Sequence, residues 1–98
     1  MTYSVDISQA AEQDIRKGFL WYEDQKDGLG ADFENHFSKA VNTIQSNPLK
    51  TQIRYAKIRV FFLKKFPYEI HFKVIENSIL IAAVFATKDN LEKWNDSK

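Results

Sequence analysis

Residues 55–85, YAKIRVFFLKKFPYEIHFKVIENSILIAAVF, decide how the rest of the chain must fold. Three strands follow one another here. The first, about residues 55–63, is rich in β-branched and aromatic side chains. In the second, about residues 68–75, Tyr68, Ile70, Phe72 and Val74 alternate with Glu69, His71 and Lys73. A period of two marks a strand with one face buried. The third, about residues 79–85, is apolar at nearly every position, as suits a strand covered on both faces. Pro67 has no N–H for a ladder and fits the entry to the second strand. Glu76-Asn77-Ser78 supplies the next turn, with Asn77 suited to a positive φ. Short polar turns make an antiparallel meander the simplest topology.

Working outward, Tyr3, Val5 and Ile7 alternate with Ser4 and Asp6 and predict a short first strand. Ser8 is a good N-cap for a helix reaching about residue 25. Ala11, Ile15, Phe19 and Tyr22 form its apolar stripe. Trp21 lies off the stripe, placed either to cover the helix flank or to meet a partner. Asp27-Gly28 and Gly30 break the pattern. A second helix, about residues 29–46, buries Leu29, Phe33, Phe37, Ala40, Val41 and Ile44, and Asn47-Pro48 stops it. Two helices with one apolar stripe each form a hairpin that must lie on the sheet. Residues 47–54 read as a polar connection, and residues 89–94 as a helical turn with Trp94 clamped on the body. The fold class is therefore α+β: β-α-α-β-β-β, a helical hairpin on one face of a four-stranded, mainly antiparallel sheet, with a short C-terminal helix. The doubly apolar last strand belongs inside the sheet, so the first strand pairs beside it, giving the order first, fourth, third, second.

The chain of 98 residues is one domain, residues 1–98, with no internal repeat. Apolar residues make up 44% and include eight Phe, enough for a small core. Without cysteine, disulfides and thiolate metal sites are excluded. No apolar run approaches the ~20 residues of a membrane span, and the N-terminus lacks a signal-peptide pattern. A cytoplasmic protein is expected. The net charge of +1 hides an asymmetry. Residues 1–49 carry four basic and eight acidic side chains, whereas residues 50–73 carry seven basic ones and a single acid, Glu69. Such a basic block suits a polyanion or an acidic partner, or a solvated sheet edge guarded by lysines.

Most site chemistries lack their parts. His36 reads as a helix-surface residue and His71 as part of a polar strand face, neither with metal-ligand spacing. There is no phosphate-binding glycine loop, no nucleophile triad, and Glu23 and Asp24 read as solvated. No cofactor is implied. What remains is the basic meander. If Ile58, Val60 and Phe62 point one way, Lys57, Arg59 and Phe61 point the other, and Arg59 shares a face with polar residues of the neighbouring strand. Its planar fork suits a phosphate, or a structural pair with Glu69 or a C-terminal carboxylate.

The Ile58-Arg59 pair on a strand, then Leu63-Lys64-Lys65-Phe66-Pro67-Tyr68, then the alternating strand, resembles the RelE/ParE superfamily of bacterial toxins, the plasmid-stabilisation type included. The order of elements before it matches too, so the resemblance covers nearly the whole chain. It implies the toxin of a type II toxin-antitoxin system, held inactive by a cognate antitoxin. RelE-like members cleave messenger RNA in the ribosome by attack of a ribose 2′-hydroxyl on the adjacent phosphate, and this is the activity the resemblance leads one to expect first. By that resemblance the catalytic residues are Arg59, Lys57 and Lys88. Ala86 stands where many relatives carry His, and Lys88 where many carry Arg. A lysine does not replace imidazole as a neutral-pH acid or base without a large pKa shift. ParE-like members instead poison DNA gyrase without nuclease chemistry, and a third possibility is an inactive antitoxin-binding module.

Overall fold

The structure, a computed structural model, describes residues 3–87. In chain order it contains β1 (Ser4–Ile7), α1 (Gln9–Gln25), α2 (Leu29–Ser46), a 3₁₀ turn (Pro48–Lys50), β2 (Ile53–Tyr55), β3 (Ile58–Phe62), β4 (Tyr68–Ile75) and β5 (Ser78–Ala86). The sheet has five strands in the order β1-β5-β4-β3-β2, with β1 parallel to β5 and the other pairs antiparallel. The expected order thus holds, with one strand added. The proposed C-terminal turn and Trp94 lie outside the described residues.

The added strand takes Ile53 and Arg54 from the segment read as a polar connection and Tyr55 from the start of the strand read as residues 55–63. Ile53–Tyr55 folds back on β3 through a two-residue turn at Ala56 and Lys57, whose φ values are 43° and 65°. Two consecutive positive φ values are what a type I′ hairpin turn requires, and neither residue is a glycine. Lys57 is therefore a hairpin-tip residue and not part of a strand face. At the β4–β5 turn the positive φ, 53°, falls on Glu76 rather than on Asn77.

α1 begins as its sequence demands, with the Ala11 N–H donating to Ser8 Oγ at 3.0 Å. The same hydroxyl donates to the Ala82 carbonyl at 2.9 Å. That carbonyl is available because β5 bulges: His71 pairs with Ala83 and Phe72 with Ile81, leaving Ala82 unpaired. The other backbone group near the bulge, Val84 N–H, donates to the Asp14 carboxylate at 3.1 Å. Two polar residues of α1 thus satisfy an irregularity in the central strand and fix the helix on it.

The helices meet closely. Gly30 does not break the chain but lies inside α2, where an added Cβ would come within 2.6 Å of the Phe19 carbonyl oxygen. The true break is Gly28, at φ 86°. Glu23, expected to be solvated, caps α2 instead, its two carboxylate oxygens each accepting at 2.9 Å from the N–H groups of Gly28 and Gly30. A negative group at a helix N-terminus satisfies orphan donors and opposes the positive end of the dipole.

The core lies between the helices and one face of the sheet. Ala11, Phe37, Ala40 and Ile44 from the helices meet Leu63, Ile70, Phe72, Ile79, Ile81 and Val84, all buried. At one end, Tyr22, Phe33, Phe66 and Tyr68 form an aromatic cluster with ring centroids 4.8–6.1 Å apart. Lys65 closes this end by donating to Asp32 of α2 at 2.6 Å. The hydrogen bond and charge of Lys65, with a smaller contribution from His36, hold the Asp32 carboxyl below its ordinary pKa.

Candidate functional site

The basic block does not converge on one point. Its members are distributed by strand register. In the β3–β4 pairing, Arg59 lies opposite Phe72 and Phe61 opposite Ile70, whereas Val60 lies opposite His71 and Phe62 opposite Glu69. Arg59 therefore shares the helix-facing side with core apolar residues, not with the polar residues of β4 as its alternation alone suggested. At that edge its guanidinium donates to two carbonyls, Leu49 at 3.3 Å and Thr51 at 2.5 Å. It is a brace, fastening the link from α2 into β2 onto β3. The pairing with Glu69 is also absent; Glu69 belongs to the other face. Lys57 stands exposed at the hairpin tip. Lys88, the third residue implied by the resemblance, lies outside the described residues.

On the opposite face, the structure assembles a group that sequence reasoning saw only in part. His71 is 6% exposed and Glu69 7%. The Glu69 carboxylate contacts His71 Nε2 at 2.7 Å, and the Tyr55 hydroxyl contacts His71 Nδ1 at 2.9 Å. Phe85 covers the imidazole edge-on at 5.0 Å. The i, i+2 spacing of Glu69 and His71 was visible on one strand; the third partner comes from β2, the strand missed in the sequence. Both ring nitrogens are engaged. An imidazole so held can take or give a substrate proton only by breaking one of these bonds, so the arrangement reads as a polar seam tying β2 to β4.

Outside this seam, exposed apolar groups mark the surface. Phe62 is 48% exposed, with Arg54 above its ring at 5.8 Å, and Trp21 is 59% exposed, touching Tyr22 edge-on at 5.0 Å. Trp21 thus covers the helix flank only in part, through Tyr22. His36 is on the surface of α2, with Nδ1 2.9 Å from the Asp32 carbonyl. Among the described residues, no three His, Asp or Glu side chains converge as a metal site needs, and no helix is long and apolar enough to cross a membrane.

Comparison with known proteins gives a consistent family. The chromosomal ParDE toxin-antitoxin system of P. aeruginosa contains a chain with a TM-score of 0.77 at 16% identity, the match covering 86% of this chain and 95% of that one. A chain of the toxin-antitoxin complex RelBE2 from Mycobacterium tuberculosis matches with a TM-score of 0.61 at 14% identity, covering 88% and 99%. At these identities the likeness establishes the fold. No curated protein matches the chain significantly. The family model described as "ParE toxin of type II toxin-antitoxin system, parDE" matches residues 5–91. Spanning most of the chain, that match places it in the ParE toxin family, within the RelE/ParE superfamily.

Proposed function

We propose that this ParE-family toxin arrests growth by binding a target, DNA gyrase, in the cytoplasm, and not by cutting messenger RNA itself, and that a cognate antitoxin neutralises it. The observation that carries this reading is the placement of Arg59. A ribonuclease step needs a cation on the phosphate, a proton acceptor at the 2′-hydroxyl and a proton donor at the leaving oxygen, all able to reach one bound phosphodiester. Arg59 is bound to two main-chain carbonyls on the helix-facing side, and Lys57 sits at a hairpin tip. The buried histidine has both nitrogens occupied. A toxin that acts by binding needs none of these groups to react. The ParE family match supports the same choice, and the toxin-antitoxin complexes in which similar folds occur support the antitoxin partner.

The test is induction from a tightly controlled promoter with two readouts, incorporation of labelled amino acid and integrity of chromosomal DNA. DNA breaks that precede any fall in protein synthesis are the expected result. Prompt arrest of translation with DNA intact and messenger RNA cleaved would overturn the reading in favour of a RelE-like nuclease. Unimpaired growth would identify an inactive antitoxin-binding module.

A further inference from the structure

The outer face of α1 is left in solvent. Ala11 and Gly18 are buried on its inner side. On the outer side, Lys17, Leu20, Trp21 and Asp24 are spaced i, i+3, i+4 and i+7, so they share one stripe two turns long. Leu20 is 56% exposed and Trp21 59%, two large apolar side chains next to each other on a helix surface. Lys17 and Asp24 mark the two ends of the stripe. Both are exposed, and neither forms a salt bridge among the described residues. Two turns apart, they are too distant to pair with each other along one helix.

We infer that this stripe binds a second copy of the chain, α1 against α1 in antiparallel orientation. The order of the four residues selects that occupant. A two-fold axis placed between Leu20 and Trp21 sets Leu20 of each copy against Trp21 of the other. The same axis sets Lys17 of each copy against Asp24 of the other. One operation therefore covers the apolar pair and neutralises both charges. A parallel arrangement would instead bring lysine to lysine and aspartate to aspartate, and a segment of a single sign would meet its own charge at one end. Since the inner side of α1 packs into the core, the helical layers of the two copies meet and the sheets lie outermost. The contact is far smaller than the ~800 Å² per partner of a stable complex, so the dimer is weak, with a Kd on the order of 10⁻⁴ M. This inference is independent of the target proposed above.

The experiment is sedimentation equilibrium of the toxin, co-expressed with the product of the neighbouring open reading frame and then freed from it, at concentrations bracketing that Kd. The weight-average mass should rise with concentration from the 11.5 kDa of the monomer toward twice that value. The axis uses every contact twice, so Lys17→Glu and Asp24→Lys should each raise the dimer Kd roughly tenfold. The combined Lys17→Glu/Asp24→Lys restores opposite charges across the axis and should return the Kd close to that of wild type. Lys50→Glu, the same charge change on the 3₁₀ turn, should leave it unchanged, and Trp21→Ala should abolish the dimer. The charge variants should melt as wild type does, since Lys17, Asp24 and Lys50 are exposed. A monomer at every concentration would overturn the inference. So would a dimer indifferent to Lys17→Glu and Asp24→Lys, or one that the combined variant weakens as much as the single ones. A free monomer whose affinity for antitoxin or gyrase falls on Trp21→Ala would give the stripe to that partner and overturn the inference as well. None of these outcomes decides how growth is arrested, so the proposed function stands or falls on its own test.

Discussion

The two faces of the sheet are built by opposite means. The helix-facing side is dry: Ile70, Phe72, Ile79, Ile81 and Val84 meet the stripes of α1 and α2, and the two polar intrusions from α1, Ser8 and Asp14, serve one bulge. The other side is held at its centre by a hydrogen-bonded chain, Tyr55 to His71 to Glu69, flanked by Val60 and Ala83 and capped by Phe85. Apolar burial is non-directional and tolerates local error, whereas a buried polar chain requires every member in place. The first face should therefore govern stability, and the second the position of the β2–β3 hairpin.

The largest expected effect breaks the dry side. Phe33 is fully buried within the aromatic cluster, so Phe33→Ala should cost about 3–5 kcal/mol in urea unfolding. That is a large part of the ~5–15 kcal/mol available to a small domain. His71→Ala attacks the polar side and should cost roughly 1–3 kcal/mol, through the buried Glu69 carboxylate it leaves without this partner. A larger loss for His71→Ala than for Phe33→Ala would reverse the assignment of the two faces. The smallest effect is a gain. Ala56 holds a left-handed conformation that glycine adopts freely, so Ala56→Gly should raise stability by about 1 kcal/mol. A loss instead would show that the hairpin turn is not of this type.

A pH series separates a third contact from both faces. The folded-state pKa of Asp32 is depressed by its hydrogen bond and charge interaction with Lys65. A depressed acid stabilises the fold above its unfolded pKa and loses that contribution as pH falls through the folded value. Asp32→Asn should therefore be less stable than wild type near neutrality and converge with it in acid. A gap that persists to the lowest pH would mean that the Lys65 pairing does not set this contact.

Much of the fold was legible because its signals are local. The stripe from Phe33 to Ile44 and the stop at Asn47-Pro48 fix α2 without reference to the sheet. The alternation from Tyr68 to Val74 identifies the strand and its buried face. What could not be read depends on partners distant in sequence. Ile58, Val60, Phe61 and Phe62 put apolar groups on both sides of β3, so no periodicity says which side carries Arg59; pairing with β4 decides it. β2 has three residues, all exposed, and resembles a loop until its pairing is seen. His71 looks solvated on its own strand, and its burial comes from residues of neighbouring strands, among them Val60, Ala83 and Phe85.

The proposed function turns on Arg59 bracing the fold rather than acting on a phosphate. The most direct measurement pairs thermal unfolding of Arg59→Ala with its growth arrest on induction at low and high temperature. The brace predicts a stability loss of about 1.5–3 kcal/mol, from hydrogen bonds donated by a charged group, and toxicity that returns at the temperature where the variant is folded. An Arg59→Ala protein as stable as wild type that no longer arrests growth would contradict the claim and return Arg59 to the mechanism.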